Sequence, residues 1–209
     1  NRSSHINKRF QEKYLNFSRI DLSQKSDFQI DEDLTKKFYQ VVEELIENKP
    51  IQYILGDCEF YGLGFRVDES VLIPRQETEE LVDWIINDFK VGKSLQGSKI
   101  ADTIGILDIG TGSGCIAISL KKNLSGANVM GLDISSEAIK LATYNAGFNQ
   151  TDIEFLQEDI LNEVTWNKLP TQLSCIVSNP PYVLHSEKSK MQKNVINYEP
   201  HLALFVDDN

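Results

Sequence analysis

Ser178-Asn179-Pro180-Pro181-Tyr182 combines residue types that could handle a planar amino group. Asn179 offers a side-chain carbonyl acceptor, and the Pro180 backbone carbonyl is a second acceptor beside it. Two acceptors in one plane can hold both hydrogens of an NH2 group and aim its nitrogen lone pair. Pro180 and Pro181 stiffen the loop, because each fixes φ and removes a backbone donor. Tyr182 can pack flat against a planar group. A rigid turn would explain the prolines but leave Asn179 and Tyr182 without a role.

Asp108-Ile109-Gly110-Thr111-Gly112-Ser113-Gly114 could supply the other half of a reaction. Glycines let the backbone turn tightly and approach a ligand closely. Free N–H groups at a helix start favour an anionic group. The spacing is D-x-G-x-G-x-G, not the G-x-G-x-x-G of dinucleotide sites. The leading Asp108 places a negative charge where pyrophosphate would lie. A cationic cofactor bearing an ammonium and a carboxylate fits better, namely S-adenosyl-L-methionine. Asp133 ends the next apolar run and can accept from both ribose hydroxyls. Its alternative is a helix N-cap, since Ser135-Ser136-Glu137 follow. Asp159 ends a third run and can accept from an adenine amino group, or remain a solvated loop carboxylate.

Alternating elements must position these groups. "IGILDIG", "NVMGLDIS", "IEFLQEDI" and "LSCIVSNPPY" read as short buried strands, with "LALFVDD" as a fifth. "CIAISLKKN" and "SEAIKLATYNAGF" read as helices between them. This alternation predicts an α/β, Rossmann-like domain, a parallel sheet with helices on both faces. The acids and SNPPY then fall at the carboxyl ends of the strands, where open α/β sheets bind ligands.

The preceding sequence divides in two. Residues 1–50 form a helical N-terminal segment, with positions 34, 38, 41, 42 and 45 on one apolar face. Asp31 or Asp33 caps that helix and Pro50 ends it. Residues 51–74 read as a β-hairpin linker, and 75–209 as the cofactor domain. In "PRQETEELVDWIINDF", Pro74 stands near a helix start, with Leu81, Trp84, Ile85 and Phe89 as an apolar stripe.

Composition narrows the functional classes. The 209 residues are 41% hydrophobic, enough for a packed core. Net charge is -10, from 31 acidic and 21 basic residues. That balance weighs against direct nucleic-acid binding, which needs clustered Lys and Arg. No run approaches a membrane span. Cys58, Cys115 and Cys175 are scattered, match no zinc pattern and suit a reducing cytoplasm. No metal is expected.

With these motifs in place, the chain resembles the HemK/PrmC family. The resemblance rests on the glycine loop, the acidic end of strand two, N-P-P-Y, "LIPRQETEELV", "IQYILGDCEFYGLGFRV" and "EPHLALF". It implies methyl transfer from S-adenosyl-L-methionine to N5 of the glutamine in the Gly-Gly-Gln motif of class-one peptide-chain release factors. Carried over by position, it implies cofactor contacts at Asp108, Gly110, Thr111, Gly112, Ser113, Gly114, Asp133, Asp159, Ile160 and Asn179. It implies amide contacts at Asn179, Pro180, Pro181 and Tyr182, with Arg75, Glu77 and Thr78 lining the approach. A helix cap and its first-turn charges are the alternative for those last three.

Gln76 stands where the family often has proline, and Ile160 where some members have an aromatic. The family continues beyond the fifth strand into two more strands and their helix, so the C-terminal strands are expected to be missing here. A protein substrate follows from the same resemblance, and a cytoplasmic monomer is expected. N-P-P-Y alone is shared with adenine-N6 and guanine-N2 nucleic-acid methyltransferases. An inactive binding module that keeps the fold is the alternative of another class.

Overall fold

The computed structural model describes residues 9–10, 13–15, 31–95 and 104–208. Most of residues 1–30 of the expected N-terminal segment therefore lies outside the described residues. Helix α1 (Glu32–Ile46) starts where the Asp31 side chain accepts from Leu34 N at 2.7 Å. Its apolar face is the predicted one, with Val41 buried. Phe10 packs edge-on against Phe38 at 5.1 Å and is itself buried.

Pro50 does not end α1. The helix closes at Glu47, Asn48 takes a positive φ of 66°, and Pro50 caps a new one-turn helix, α2 (Ile51–Leu55). The hairpin follows as β1 (Asp57–Phe60) and β2 (Leu63–Arg66), shorter than residues 51–74. Its two-residue turn puts both Tyr61 (49°) and Gly62 (70°) at positive φ, the twist that suits a tight hairpin. The hairpin is more than a linker. Phe60 and Phe65 meet edge to face at 6.1 Å and sit in the same apolar cluster as Ile106 and Ile118.

Helix α3 (Gln76–Leu95) buries Val82, Ile85 and Ile86. Trp84, expected on its apolar stripe, is instead 66% exposed. The parallel sheet has four strands: β3 (Gly105–Ile109), β4 (Asn128–Asp133), β5 (Glu154–Gln157) and β6 (Cys175–Ser178), in the order β5-β4-β3-β6. Side chains alternate between its faces. Ile106, Val129 and Val177 join α3, α4 (Cys115–Asn123) and α5 (Ser136–Phe148) in the large cluster. Leu107, Met130 and Leu132 face the other way, toward Leu169 and Leu173.

Helices were expected on both faces. Among the described residues, the second face is instead covered by Ile160, Leu169 and Leu173, from irregular chain on either side of the single-turn α6 (Glu163–Trp166). The expected fifth strand is also different. Phe205–Val206 (β8) pairs in parallel with Val183–Leu184 (β7), forming a separate two-stranded sheet; α7 (Lys193–Tyr198) lies between them. Among the described residues, no helix is long and apolar enough to cross a membrane.

Candidate functional site

Register aligns the strand ends. Ile109 pairs with both Leu132 and Ser178, and Asp133 pairs with Gln157. The chain turns from β3 to β4 on one side and returns to β6 on the other. The crevice between β3 and β6 is thus the topological switch point. The glycine loop leaves β3 there, Asp133 flanks it on one side and Asn179 on the other.

The glycine loop is held by many bonds. Gly110, Gly112 and Gly114 all have positive φ (71°, 54° and 80°), which favours glycine. Gly110 N and Thr111 N donate to Leu132 O at 2.8 and 2.9 Å. Gly112 N donates to Asp133 Oδ2 at 2.9 Å, and Ser135 N to Asp133 Oδ1 at 2.9 Å. Ser135, not Asp133, caps α5 by accepting from Ala138 N. Asp133 is half-buried, and each of its oxygens keeps further acceptor capacity.

Asp108 presents no surface to solvent. Its Oδ2 accepts from Thr111 Oγ1 at 2.7 Å and from Ala117 N at 3.2 Å, bracing the loop from beneath. Burial pushes its carboxyl up to about 7, against the pull of those two bonds. The Asp108 carboxyl therefore sits fully buried among the loop's supports rather than exposed at the strand end.

Several features fit a cofactor at this loop. A Cβ built on Gly110 meets nothing within 4 Å, so the loop faces open space. Asp108 Oδ1 and Ser113 Oγ are buried without a hydrogen-bond partner. Asp159 is half-buried and accepts from Leu161 N at 2.9 Å. Ile160 packs against the Leu107 cluster, and its carbonyl accepts from Trp166 Nε1.

The other flank is more open. Ser178 Oγ donates to Ile109 O at 2.7 Å, tying the end of β6 to β3 across the crevice. Asn179 is half-buried and its Nδ2 donates to Thr78 Oγ1 at 3.3 Å. Pro180 is exposed, Pro181 half-buried, and Tyr182 is 76% exposed, with no aromatic ring stacked on it among the described residues. Thr78 itself is buried in the first turn of α3, with Glu77 exposed beside it.

Arg75 does not face this crevice freely. Its Nη2 donates to both carboxylate oxygens of Glu199 at 2.6 and 2.7 Å, and the Glu199 side chain is only 2% exposed. The pair joins "IPRQETE" to "EPHLALF". Asn145 was missed in the sequence. This fully buried side chain accepts from Arg66 N at 2.8 Å and donates to Arg66 O and Ser113 O at 3.0 and 2.9 Å. It pins the hairpin to the glycine loop. Asn149, one turn on, donates to Gly64 O at 2.9 Å. Two asparagines four apart on an otherwise apolar helical face were the available signal.

Residues 93–201, just over half of the chain, match the methyltransferase small domain family. The chain belongs to that family. Residues 10–56 of this methyltransferase chain match the PrmC N-terminal domain, so the HemK/PrmC resemblance holds. A release factor glutamine methyltransferase of Flavobacterium psychrophilum is 48% identical over 95% of this chain and 66% of its own length. The Lactococcus lactis protein of that name is 45% identical over 83% of this chain and 58% of its own. A bifunctional methyltransferase of Rickettsia typhi is 43% identical over 87% of this chain and 36% of its own. The chain thus spans less than two thirds of the relatives it matches.

Proposed function

We propose that this protein transfers a methyl group from S-adenosyl-L-methionine to the side-chain amide N5 of the glutamine in the Gly-Gly-Gln motif of class-one release factors. One observation carries the reading. An asparagine with its NH2 tied back to Thr78 stands across the crevice from a glycine loop braced for a ligand. Relatives at 45–48% identity bearing the name release factor glutamine methyltransferase support the choice of glutamine. The net charge of -10 disfavours a nucleic-acid substrate.

When bound, the cofactor would supply an electrophilic methyl group, with the thioether S-adenosyl-L-homocysteine as leaving group, and the methylated nitrogen would then lose one proton to solvent. The Gly110–Gly114 loop and Asp133 would hold it, with Asp159 and Ile160 beside the adenine. An amide nitrogen is a poor nucleophile, because its lone pair is delocalised. Asn179 Oδ1 and the Pro180 carbonyl would accept its two hydrogens and orient that lone pair. Such positioning can supply roughly 7–11 kcal/mol. Both acceptors strengthen as positive charge develops on nitrogen, so they favour the transition state over the ground state. Tyr182 would close over the amide plane. The partner is a protein, the setting the cytoplasm, and the working unit a monomer.

The test is incubation with methyl-labelled cofactor and a class-one release factor, either wild type or with Gly-Gly-Gln changed to Gly-Gly-Ala. Label on the wild-type factor alone is expected. Label on neither, or on both equally, overturns the reading.

A further inference from the structure

We propose that Thr78 is a positioning residue that holds the Asn179 side chain in place at the crevice. The inference deepens the proposed methyl transfer and rests on that reading for its effect on turnover. An asparagine amide has two nearly isosteric ends with opposite hydrogen-bonding character. Only the carbonyl end can accept from a substrate NH2. The other end would set donor against donor.

Asn179 makes a single side-chain hydrogen bond among the described residues, from Nδ2 to Thr78 Oγ1 at 3.3 Å. Its Oδ1 accepts from no described residue, and so stays available. Thr78 is well placed to restrain that side chain. It is buried, and it lies in the first turn of a long helix, where its own N–H donates to Arg75 O at 3.1 Å. Arg75 is in turn held by both oxygens of buried Glu199. The hydroxyl therefore belongs to a fixed element, whereas Asn179 belongs to a loop with exposed neighbours on its C-terminal side. A threonine methyl or a valine in that place could fill the space without offering an acceptor. This is a specific use of a residue that a helix first turn would otherwise employ only as a cap.

Two measurements on wild type, Thr78→Val and Thr78→Ser test it. The first is the NMR order of the Asn179 side-chain amide in the protein without substrate. Wild type and Thr78→Ser are expected to show an ordered NH2, and Thr78→Val a mobile one. An equally ordered amide in Thr78→Val overturns the proposal, whatever the turnover. The second is steady-state transfer to the release factor. Thr78→Val is expected to lower kcat about tenfold, with the cofactor Kd unchanged and Thr78→Ser restoring most of the loss. That tenfold corresponds to one hydrogen bond of about 1.4 kcal/mol. A Thr78→Val defect in cofactor binding, or no rescue by serine, also overturns it. If wild type transfers nothing to glutamine while the amide order still depends on the hydroxyl, the substrate assignment fails and the positioning role stands.

Discussion

The two flanks of the crevice are built to different standards. The glycine loop is fixed by backbone bonds to Leu132, by Asp133 from the side, by Asp108 from below and by Asn145 through Ser113. The N-P-P-Y loop has Ser178 tied to Ile109 and one 3.3 Å bond at Asn179, with Pro180 and Tyr182 exposed. A small cofactor needs a preformed cradle, because it brings little surface with which to order one. A protein substrate can bring its own surface and complete an open half-site. Under the proposed function the difference also divides the work: one flank would bind and the other would orient.

The sharpest way to break this contrast is at Gly114. A valine there must adopt a φ of 80° and place its Cβ 3.0 Å from Ile118 Cδ1 and 3.2 Å from Ala142 Cβ. Backbone strain and overpacking together cost about 2–6 kcal/mol. Gly114→Val is expected to lower the unfolding midpoint in urea and to abolish cofactor binding by calorimetry.

Arg75→Met comes next. It leaves the Glu199 carboxylate buried and unpaired, at a cost of about 3 kcal/mol, the low end for a buried pair because Arg75 is itself partly exposed. Chemical denaturation should show that loss, and Arg75→Met with Glu199→Gln should recover most of it. Cofactor affinity should stay near wild type, since the pair lies outside the glycine-loop flank.

Asn145→Ala removes three hydrogen bonds between the hairpin, α5 and the glycine loop and should cost about 2 kcal/mol. Unlike Arg75→Met, it should weaken cofactor binding too. Equal effects of the two variants on cofactor affinity would erase the distinction between the flanks.

The last expected effect is a pH dependence. Burial raises the folded pKa of Asp108 to about 7, while an unfolded aspartate titrates near about 4. Between those values the folded state binds more protons than the unfolded one, so this group's contribution to stability falls as pH rises through the window. Urea midpoints of wild type should decline from about pH 4 to 7 relative to Asp108→Asn.

The geometry of the glycine-loop flank was largely legible in the sequence. D-x-G-x-G-x-G needs glycine at three positive-φ positions, and Asp133 ends its strand as expected, whereas Asp108 lies within β3 and β5 already stops at Gln157, two residues before Asp159. The helix 115–123 and the strand ending at Asp133 follow from the same local rules. What escaped depends on long-range partners. "LALFV" is an apolar run, but nothing local says whether Phe205 joins the main sheet or pairs with Val183. Trp84 fits an apolar stripe by spacing, and its exposure is set by where the helix docks. Arg75 looks free for substrate until Glu199, far along the chain, is found against it. Asn145 reads as a polar interruption until Arg66 and Ser113 supply three partners.

The division of labour between the flanks is tested most directly by Asn179→Ala, with cofactor binding and methyl transfer measured on the same preparation. The expected result is an unchanged cofactor Kd and a turnover lower by about 10²–10³-fold, the size of losing one preorganised transition-state partner. Turnover that is unaffected, or that falls only in step with cofactor affinity, would contradict it.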